Sequence, residues 1–510
     1  MIGDSSPSHR PIFKAFIVNH KLRPGSGEEA NSVADALDKL DIIPQILDLE
    51  WPGHGDPATL PNLESAARRL RYQALGRACR DNGISSLLVA HHADDQAETA
   101  FMRIVTGYTG IGLSGMKHCA ALPECQGVYG IDHSGEPCVG QQDVKVESGG
   151  VCLHRPLLDV RKRDMVDVCV ENGVRWFEDS TNKDVTLTLR NTVRSLLRDG
   201  SALPNALRHE RLLVAAEKMA QKKESKEAEA AKLLATTSVS MNVRSGQTAF
   251  TLDQEIRTYL SRHEDVAGRL LRQILIAVSP KAAISLQDLD QAVALMLSGG
   301  LEGKTNEGTN DHVHIASVQM RRLAQKDGQS SDASFVVSRL LPPSGEQKGL
   351  TIQLWPQLGN GDGQQSDAWR LWDGRYWIRV QPPRSGAEPG SRVVARFLNR
   401  DGLAGLQKLS KAGGNAAGVA LDRLKKITNL DVRLSLPAVF LIRARDDAED
   451  QPAEEELVAL PSLSWYARSW TGSSAPESPH SKLWVCEIRY KHVELGENQV
   501  HDSMSGVEGE

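Results

Sequence analysis

The sequence predicts an α/β protein whose first domain is a parallel sheet with flanking helices, and three observations predict it. The run Leu87, Leu88, Val89, Ala90 is short, apolar and β-rich, whereas the apolar positions after it, Ala97, Phe101, Ile104 and Val105, recur at helical spacing. Two earlier strand-like runs, residues 12–19 and 44–49, alternate with amphipathic helical stretches. Helices of that length between strands imply right-handed crossovers and a sheet covered on both faces. The junction at residues 90–93 then lies at the carboxyl end of a strand, where open α/β sheets place their ligands.

Each element has its own signal. Residues 12–19 read as a buried strand entering the turn-rich loop His20-Lys21-Leu22-Arg23-Pro24-Gly25. Ser26 with Glu29 has the spacing of a capping box, and Ala30, Val33, Ala34, Leu37 and Leu40 form the apolar stripe of the helix behind it. Asn62 is a good N-cap for the next helix, with Leu63, Ala66, Ala67, Leu70, Ala74, Leu75 and Ala78 inward and Arg68, Arg69, Arg71, Arg77 and Arg80 outward. Asn82-Gly83 ends it before the strand at residues 85–90. Gly107–Gly115 is a glycine-rich turn, and residues 117–150, polar and aperiodic, read as a surface insertion. Residues 151–154 return to strand, a helix runs from about Lys162 to Glu171, and another opens at Arg190-Asn191. Long helices are expected from Asn205 to Leu234, the part from Glu217 to Lys232 exposed, and again over 264–297. Beyond Gly299 short strand-like runs, 350–355 and 372–380, flank a low-complexity linker at 359–366. The expected domains are therefore 1–200 with its insertion 117–150, a helical domain 201–330, a smaller α+β module 331–494 and a disordered tail 495–510.

Composition bounds the functional classes. A net charge of −5 over 510 residues gives no global attraction to nucleic acid, so any such binding needs a local basic face. No run approaches the roughly eighteen apolar residues that span a bilayer, so no membrane association is expected. The seven cysteines are odd in number and never spaced CxxC, which points to reduced thiols rather than a disulfide framework or zinc ribbon.

The junction itself concentrates His91, His92, Asp94, Asp95 and Glu98. Adjacent strand residues point to opposite faces, so His91 and His92 make a poor metal pair. Asp95 and Glu98, three apart on a helix, share a face. They read either as acids at a solvated helix start, favoured by the macrodipole, or as paired carboxylates that attract an ammonium group or Mg²⁺.

Six blocks decide between those readings: Asn19-His20-Lys21-Leu22-Arg23; Asn62-Leu63-Glu64-Ser65-Ala66-Ala67-Arg68 with Arg71-Tyr72; Ala90 to Thr99; Gly112-Leu113-Ser114-Gly115-Met116; Arg155-Pro156-Leu157-Leu158; and Trp176 to Asn182 with Arg190-Asn191. In order and approximate spacing they resemble the tRNA(Ile)-lysidine synthetases, members of the PP-loop ATP pyrophosphatases with an adenine nucleotide alpha-hydrolase-like fold. The resemblance covers residues 12–200 well and the remainder loosely. It implies an ATP-dependent carbon–nitrogen ligase: ATP adenylates the 2-oxo group of the wobble cytidine of a CAU-anticodon tRNA(Ile), and the amine of free lysine displaces AMP. A ring carbonyl becomes a usable electrophile only once its oxygen is a phosphate leaving group, and charge building on that phosphate calls for cations and Mg²⁺. On this resemblance Arg71 serves the phosphate or the nucleotide, His92 positions the nucleotide, and Asp95 and Glu98 hold the lysine ammonium, with Asp95 taking its proton. His20, His91 and Asp94 contact ATP, and Arg155, Arg163 and Arg190 contact tRNA phosphates. No resident metal is assigned to these residues.

The family opens with a strand and an SGGxDS loop that cradles the pyrophosphate of ATP, and the nearest match here, Gly3-Asp4-Ser5-Ser6, lacks the glycine pair. It also stands too near the strand at residue 12 for a parallel crossover of about a dozen residues. The sequence therefore reads as N-terminally truncated, with the first strand missing, sheet surface uncovered and weak ATP binding expected. Two other readings follow: a non-catalytic tRNA-binding remnant of the family, or a related tRNA-modifying enzyme such as a thiolase, which ranks last because thiolation enlists CxxC pairs. Lysidine formation belongs to bacterial-type translation, so the resemblance implies the mitochondrial matrix in a eukaryote and otherwise the cytoplasm. A homodimer is one assembly open to it.

Overall fold

In the computed structural model the described residues are 13–51, 57, 60–138, 143–176, 189–199, 203–298, 311–324, 332–356, 369–383, 385–411, 415–427, 429–443, 454–472 and 483–503. The Gly3–Ser6 fragment, the stretch from Phe177 to Asn182 and the linker 359–366 lie outside them. The chain forms two compact units: residues 1–126, 130–132 and 150–223, and residues 127–129, 133–149 and 224–510.

The first unit is α/β, as the alternation predicts. Strand β1 (Lys14–Asn19) pairs in parallel with β2 (Ile43–Asp48) across the helix α1 (Ser26–Asp38). Helix α2 (Leu63–Asp81) leads to β3 (Ser86–Leu88), and α3 (Ala93–Val105) follows. Strand β4 (Cys119–Ala121) and strand β5 (Cys152–His154) complete a second, three-stranded sheet in the order β3-β5-β4, parallel between β3 and β5 and antiparallel between β4 and β5. Helices α4 (Lys162–Glu171) and α5 (Leu189–Asp199) come next, and the long α6 (His209–Thr236) begins here. Among the described residues the strands thus form two sheets, not the single continuous one expected.

Local chemistry explains most of these elements. Helix α1 is entered through Gly25 in the left-handed region (φ 81°), so Ser26 is its first residue and not its cap. The expected capping box is absent, and Glu29 pairs with Arg23 instead. Helix α2 buries Ala66, Tyr72, Leu75, Gly76, Ala78 and Cys79. Gly76 is required there, since a Cβ would come within 2.8 Å of Leu122 and 2.9 Å of Ile131. Those two contacts also correct the reading of 117–150 as a surface insertion. Leu122, Cys125 and Ile131 are buried, and residues 133–149 pack in the second unit, where Lys145–Ser148 is a strand.

Among the described residues the second unit holds three antiparallel-rich sheets. One runs in the order 312–315, 318–322, 333–339, 247–252, 238–242, 500–501, and the helices Gln254–Arg262, Glu264–Val278 and Asp290–Leu297 contribute apolar residues to the core on it. Residues 201–330 are therefore helices laid on strands, not a purely helical domain. A second sheet orders 352–355, 392–397, 437–443, 454–460 and 465–466, and a third orders 370–372, 376–381, 484–490, 145–148 and 136–137. The tail expected to be disordered from 495 is ordered to Ser503: Val500–His501 pairs in parallel with Met241–Asn242, and Arg244 reaches Asp502. Residues 504–510 lie outside the described ones.

Lys491 is buried in this unit and donates to the carbonyl of Ile276 at 2.7 Å and to that of Ser279. Burial lowers its pKa to about 7, helped by the Arg375 guanidinium and opposed by Asp373. From about pH 7 to its unfolded value near 10.5 the unfolded chain holds a proton that the folded chain has released, so this group makes stability rise with pH across that window. Lys491→Met is expected to flatten that rise, measured as the urea midpoint at about pH 7 and about pH 9.5.

Candidate functional site

Strand β3 ends at Leu88 and α3 starts at Ala93, so residues 89–92 form the turn between them. Backbone bonds hold both ends of that turn: Val89 donates to the carbonyl of His154, and Ala93 to that of Val160, each at 2.9 Å. His92 stands at the N-cap with extended backbone, and the Asp95 carboxylate, one turn on, accepts from the His92 N–H at 3.0 Å. The helix start is thus closed by its own acid, as a capping box does. Gln96 fastens the glycine-rich turn behind it, donating to the Met116 carbonyl at 3.0 Å and accepting from the Met116 N–H at 2.7 Å.

Asp94 turns toward other elements. One carboxylate oxygen accepts from the Lys162 N–H at the start of α4 (2.9 Å), and the other lies 3.4 Å from His209 Nε2 at the start of α6. His92 Nδ1 is 3.5 Å away. The His209 and His92 imidazoles, with the Lys162 amide, hold the Asp94 carboxyl far below the usual carboxylate range, so it is ionised at any physiological pH.

Asp95 and Glu98 share one face, as their spacing predicts, and both are buried. They do not stand open to an ammonium group. Arg194 Nε donates to Glu98 at 2.6 Å, Arg190 Nε donates to the other Glu98 oxygen at 2.9 Å, and Arg190 also reaches Asp95 Oδ1 at 3.2 Å. The reason is burial: two carboxylates at 8 % and 3 % exposure need cationic partners, and α5 supplies two arginines one turn apart. Arg190, expected on a tRNA phosphate, is committed here.

His91 sits beside this pair. Burial lowers its pKa, Asp95 opposes the shift, and Arg155, Arg190 and Arg71 add to it, so the ring is neutral at physiological pH. Its Nδ1 is buried without a hydrogen-bond partner among the described residues. Arg155 is also buried, with one terminal nitrogen donating to the Lys117 carbonyl at 2.7 Å and its Nε unpartnered among the described residues. Inside the fold, Arg155 cannot lie along an external tRNA backbone, contrary to expectation. Arg163 projects from α4, 72 % exposed, and among the described residues it pairs with its neighbour Asp164 at 3.2 Å. His20 follows β1 in the two-stranded sheet, its carbonyl accepting from the Trp51 indole at 2.8 Å.

The structure thus brings Asp95, Glu98, Arg190 and Arg194 into contact, and joins Asp94 to His92 and His209, while the charges of Asp95 and of the Arg155, Arg190 and Arg71 guanidinium groups act on His91. Arginine charge acting on the carboxyl end of a parallel strand, beside the start of α3, favours an anion such as a phosphate. Sequence reasoning missed Arg194 and His209. Arg194 carried a signal, lying four residues after Arg190 on a helix, the spacing that matches Asp95 and Glu98 on another. His209 carried none.

Comparison with known proteins places this cluster in context. A family model described as a PP-loop domain matches residues 5–199. The chain is 29% identical over 372 residues to a probable tRNA(Ile)-lysidine synthase of Schizosaccharomyces pombe, covering 72% of this chain and 70% of that protein. It is 30% identical over 184 residues to the tRNA(Ile)-lysidine synthase of a Wolbachia of Brugia malayi, 36% of each chain. It is 33% identical over 187 residues to that of Bradyrhizobium diazoefficiens, 37% of this chain and 43% of that one. The match to these two bacterial proteins spans less than half their length. Among solved structures, a U34-tRNA thiolase from Methanococcus maripaludis aligns with a TM-score of 0.28 and 12% identity, over 41% of this chain and 62% of that one. No described helix is long and apolar enough to cross a membrane.

Proposed function

We propose that the chain, which matches a PP-loop domain over residues 5–199 and is similar to tRNA(Ile)-lysidine synthases, is an ATP-dependent carbon–nitrogen ligase joining free lysine to the 2-position of the wobble cytidine in a CAU-anticodon tRNA(Ile). The observation that carries the reading is the pairing of Arg190 and Arg194 with the buried Asp95 and Glu98, just after His91 at the end of β3 and inside the residues that match the PP-loop model.

Each residue then has a task. Transfer of the adenylyl group from ATP to the cytidine oxygen builds charge on the α-phosphate, and the guanidinium groups of these arginines stabilise it. His91, neutral and with an unpartnered buried nitrogen, orients the nucleotide. Asp94, always ionised, is the donor that fits Mg²⁺, which when bound would neutralise phosphate charge. His92 and His209 hold Asp94 in place. For lysine, Asp95 and Glu98 become available only when Arg190 and Arg194 turn from them, and an incoming phosphate offers these guanidinium groups that alternative partner. Asp95 then takes a proton from the ammonium group, and the freed amine attacks C2 with AMP leaving. This order predicts that lysine binds weakly until nucleotide is present. Arg163 meets tRNA phosphates from outside. A reaction of this kind suits the mitochondrial matrix or a bacterial-type cytoplasm.

The test is AMP release in the presence of lysine, ATP, Mg²⁺ and a CAU-anticodon transcript, run on residues 1–510 and on the chain preceded by an SGGxDS-bearing segment. Release that needs both lysine and the CAU transcript is the expected result, faster with the added segment, because backbone N–H cradles of pyrophosphate are not replaced by distant side chains. Transcript binding with no AMP release from either form would instead favour a tRNA-binding role without catalysis.

A further inference from the structure

Outside the arginine and carboxylate cluster, the three-stranded sheet of the first unit carries a second concentration of reactive side chains. Cys119 lies on β4 directly opposite His154 on β5, in antiparallel register. Cys152 lies two residues before His154 on the same strand, so both project from one face of the sheet. Opposed residues on neighbouring strands bring their Cβ atoms within about 5.5 Å, which places Cys119 on that face as well. The result is compact: the Cys119 sulfur, the Cys152 sulfur and a ring nitrogen of His154 all lie within 4.8 Å of one another. Both cysteines are free thiols, Cys119 exposed and Cys152 half-buried.

We propose that Cys119, Cys152 and His154 form a binding site for a soft or borderline divalent transition metal of the zinc class, with the fourth coordination position open to solvent. The donor set selects the metal. Two thiolates and an imidazole suit zinc or its neighbours, whereas magnesium and calcium demand oxygen ligands. Tetrahedral zinc with sulfur at about 2.3 Å and nitrogen at about 2.0 Å needs ligand atoms about 3.5–3.8 Å apart. The observed cluster meets this with a small inward movement of side chains that sit on rigid, paired strands. The spacing in sequence conceals it: one cysteine stands 33 residues before a Cys-x-His pair, and only the antiparallel β4–β5 register joins them. Binding would staple β4 to β5, whose other neighbour β3 leads into the arginine cluster, and the thiols would each give up a proton to the solvent on ligation. The inference stands on its own residues and does not depend on the ligase reading.

The experiment uses the full chain, reduced and freed of metal, then dialysed against zinc and, separately, cobalt(II). About one zinc per chain is expected, with cobalt giving the thiolate-to-metal absorption and visible bands of tetrahedral coordination. Cys119→Ser and His154→Gln are each expected to weaken zinc binding by about tenfold or more, and Cys138→Ser, a change at another exposed thiol, to leave it unaltered. Circular dichroism of each variant separates loss of the site from loss of the fold. Zinc retained equally by all three variants would overturn the proposal. So would five titratable thiols instead of seven in the denatured, unreduced protein, since a Cys119–Cys152 disulfide would then occupy the place of the metal.

Discussion

Asp373→Ala is expected to destabilise the second unit by about 3–5 kcal/mol, seen as a lower denaturant midpoint and as poor recovery of folded protein. Asp373 is fully buried between two arginines that are themselves buried. Arg339 donates to both its oxygens, at 2.8 and 3.0 Å, and Arg375 Nε donates at 2.7 Å. Arg375 is further held by the Ser435 carbonyl at 3.0 Å. Removing the carboxylate leaves two guanidinium charges in a low-dielectric interior with no counterion, the costly half of a buried ion pair. Asp373 also has positive φ (47°), followed by Gly374 at 58°, where a Cβ would meet the Pro280 carbonyl oxygen at 2.0 Å. Asp373→Asn keeps a residue tolerant of that backbone and some hydrogen bonding, and is expected to fall between wild type and alanine. By contrast, Lys425→Ala removes a pair in which both side chains are more than 70 % exposed (73 % and 72 %), and no measurable change is expected. A loss at Asp373 no larger than at Lys425 would contradict the account of the buried triad.

Glu98→Ala is expected to abolish lysine-dependent AMP release, by about 100-fold or more, and to cost the first unit about 2–4 kcal/mol. The stability figure is set below that of Asp373 because Arg190 and Arg194 keep 40 % and 25 % side-chain exposure and so regain some hydration. Activity falls because Glu98, which at rest accepts from both guanidinium groups, shares the lysine ammonium with Asp95 once those groups turn to the incoming phosphate. Glu98→Gln should retain most of the stability and lose most of the activity, since an amide fits the space but cannot neutralise two cations. A double-mutant cycle with Arg194→Leu separates the contributions, and the pair should be less destabilising than the sum of the two single changes. An active Glu98→Ala enzyme would remove Glu98 from lysine binding.

What the sequence makes legible is periodic or local. The alternation of strands and helices up to Val105, the exposed arginine face of α2 and the common face of Asp95 and Glu98 all follow from spacing along one element, and the structure contains them. What stays hidden depends on partners far along the chain. That Glu98 meets Arg194 and Asp94 meets His209 follows from how α3, α5 and α6 pack, and no window of sequence contains both partners. Arg155 reads as a surface cation because arginine is rarely buried in folded proteins. Its burial comes from β5 and from the Lys117 carbonyl, 38 residues away. The 117–150 stretch looks aperiodic because its ordered pieces are short strands of two to four residues, below the length at which alternation becomes visible.

The division of the first unit's strands into a pair and a trio sets how these segments breathe. Among the described residues β1 pairs with β2 alone and β3 with β5 alone, whereas the strand Tyr376–Gln381 of the second unit is flanked on both sides. Every other amide of a strand bonded along one side points to no ladder partner, and opening such a strand breaks few contacts. Deuterium should therefore enter β1 and β3 well before it enters Tyr376–Gln381, making the strand that delivers His91 to its arginines one of the first parts of the molecule to loosen.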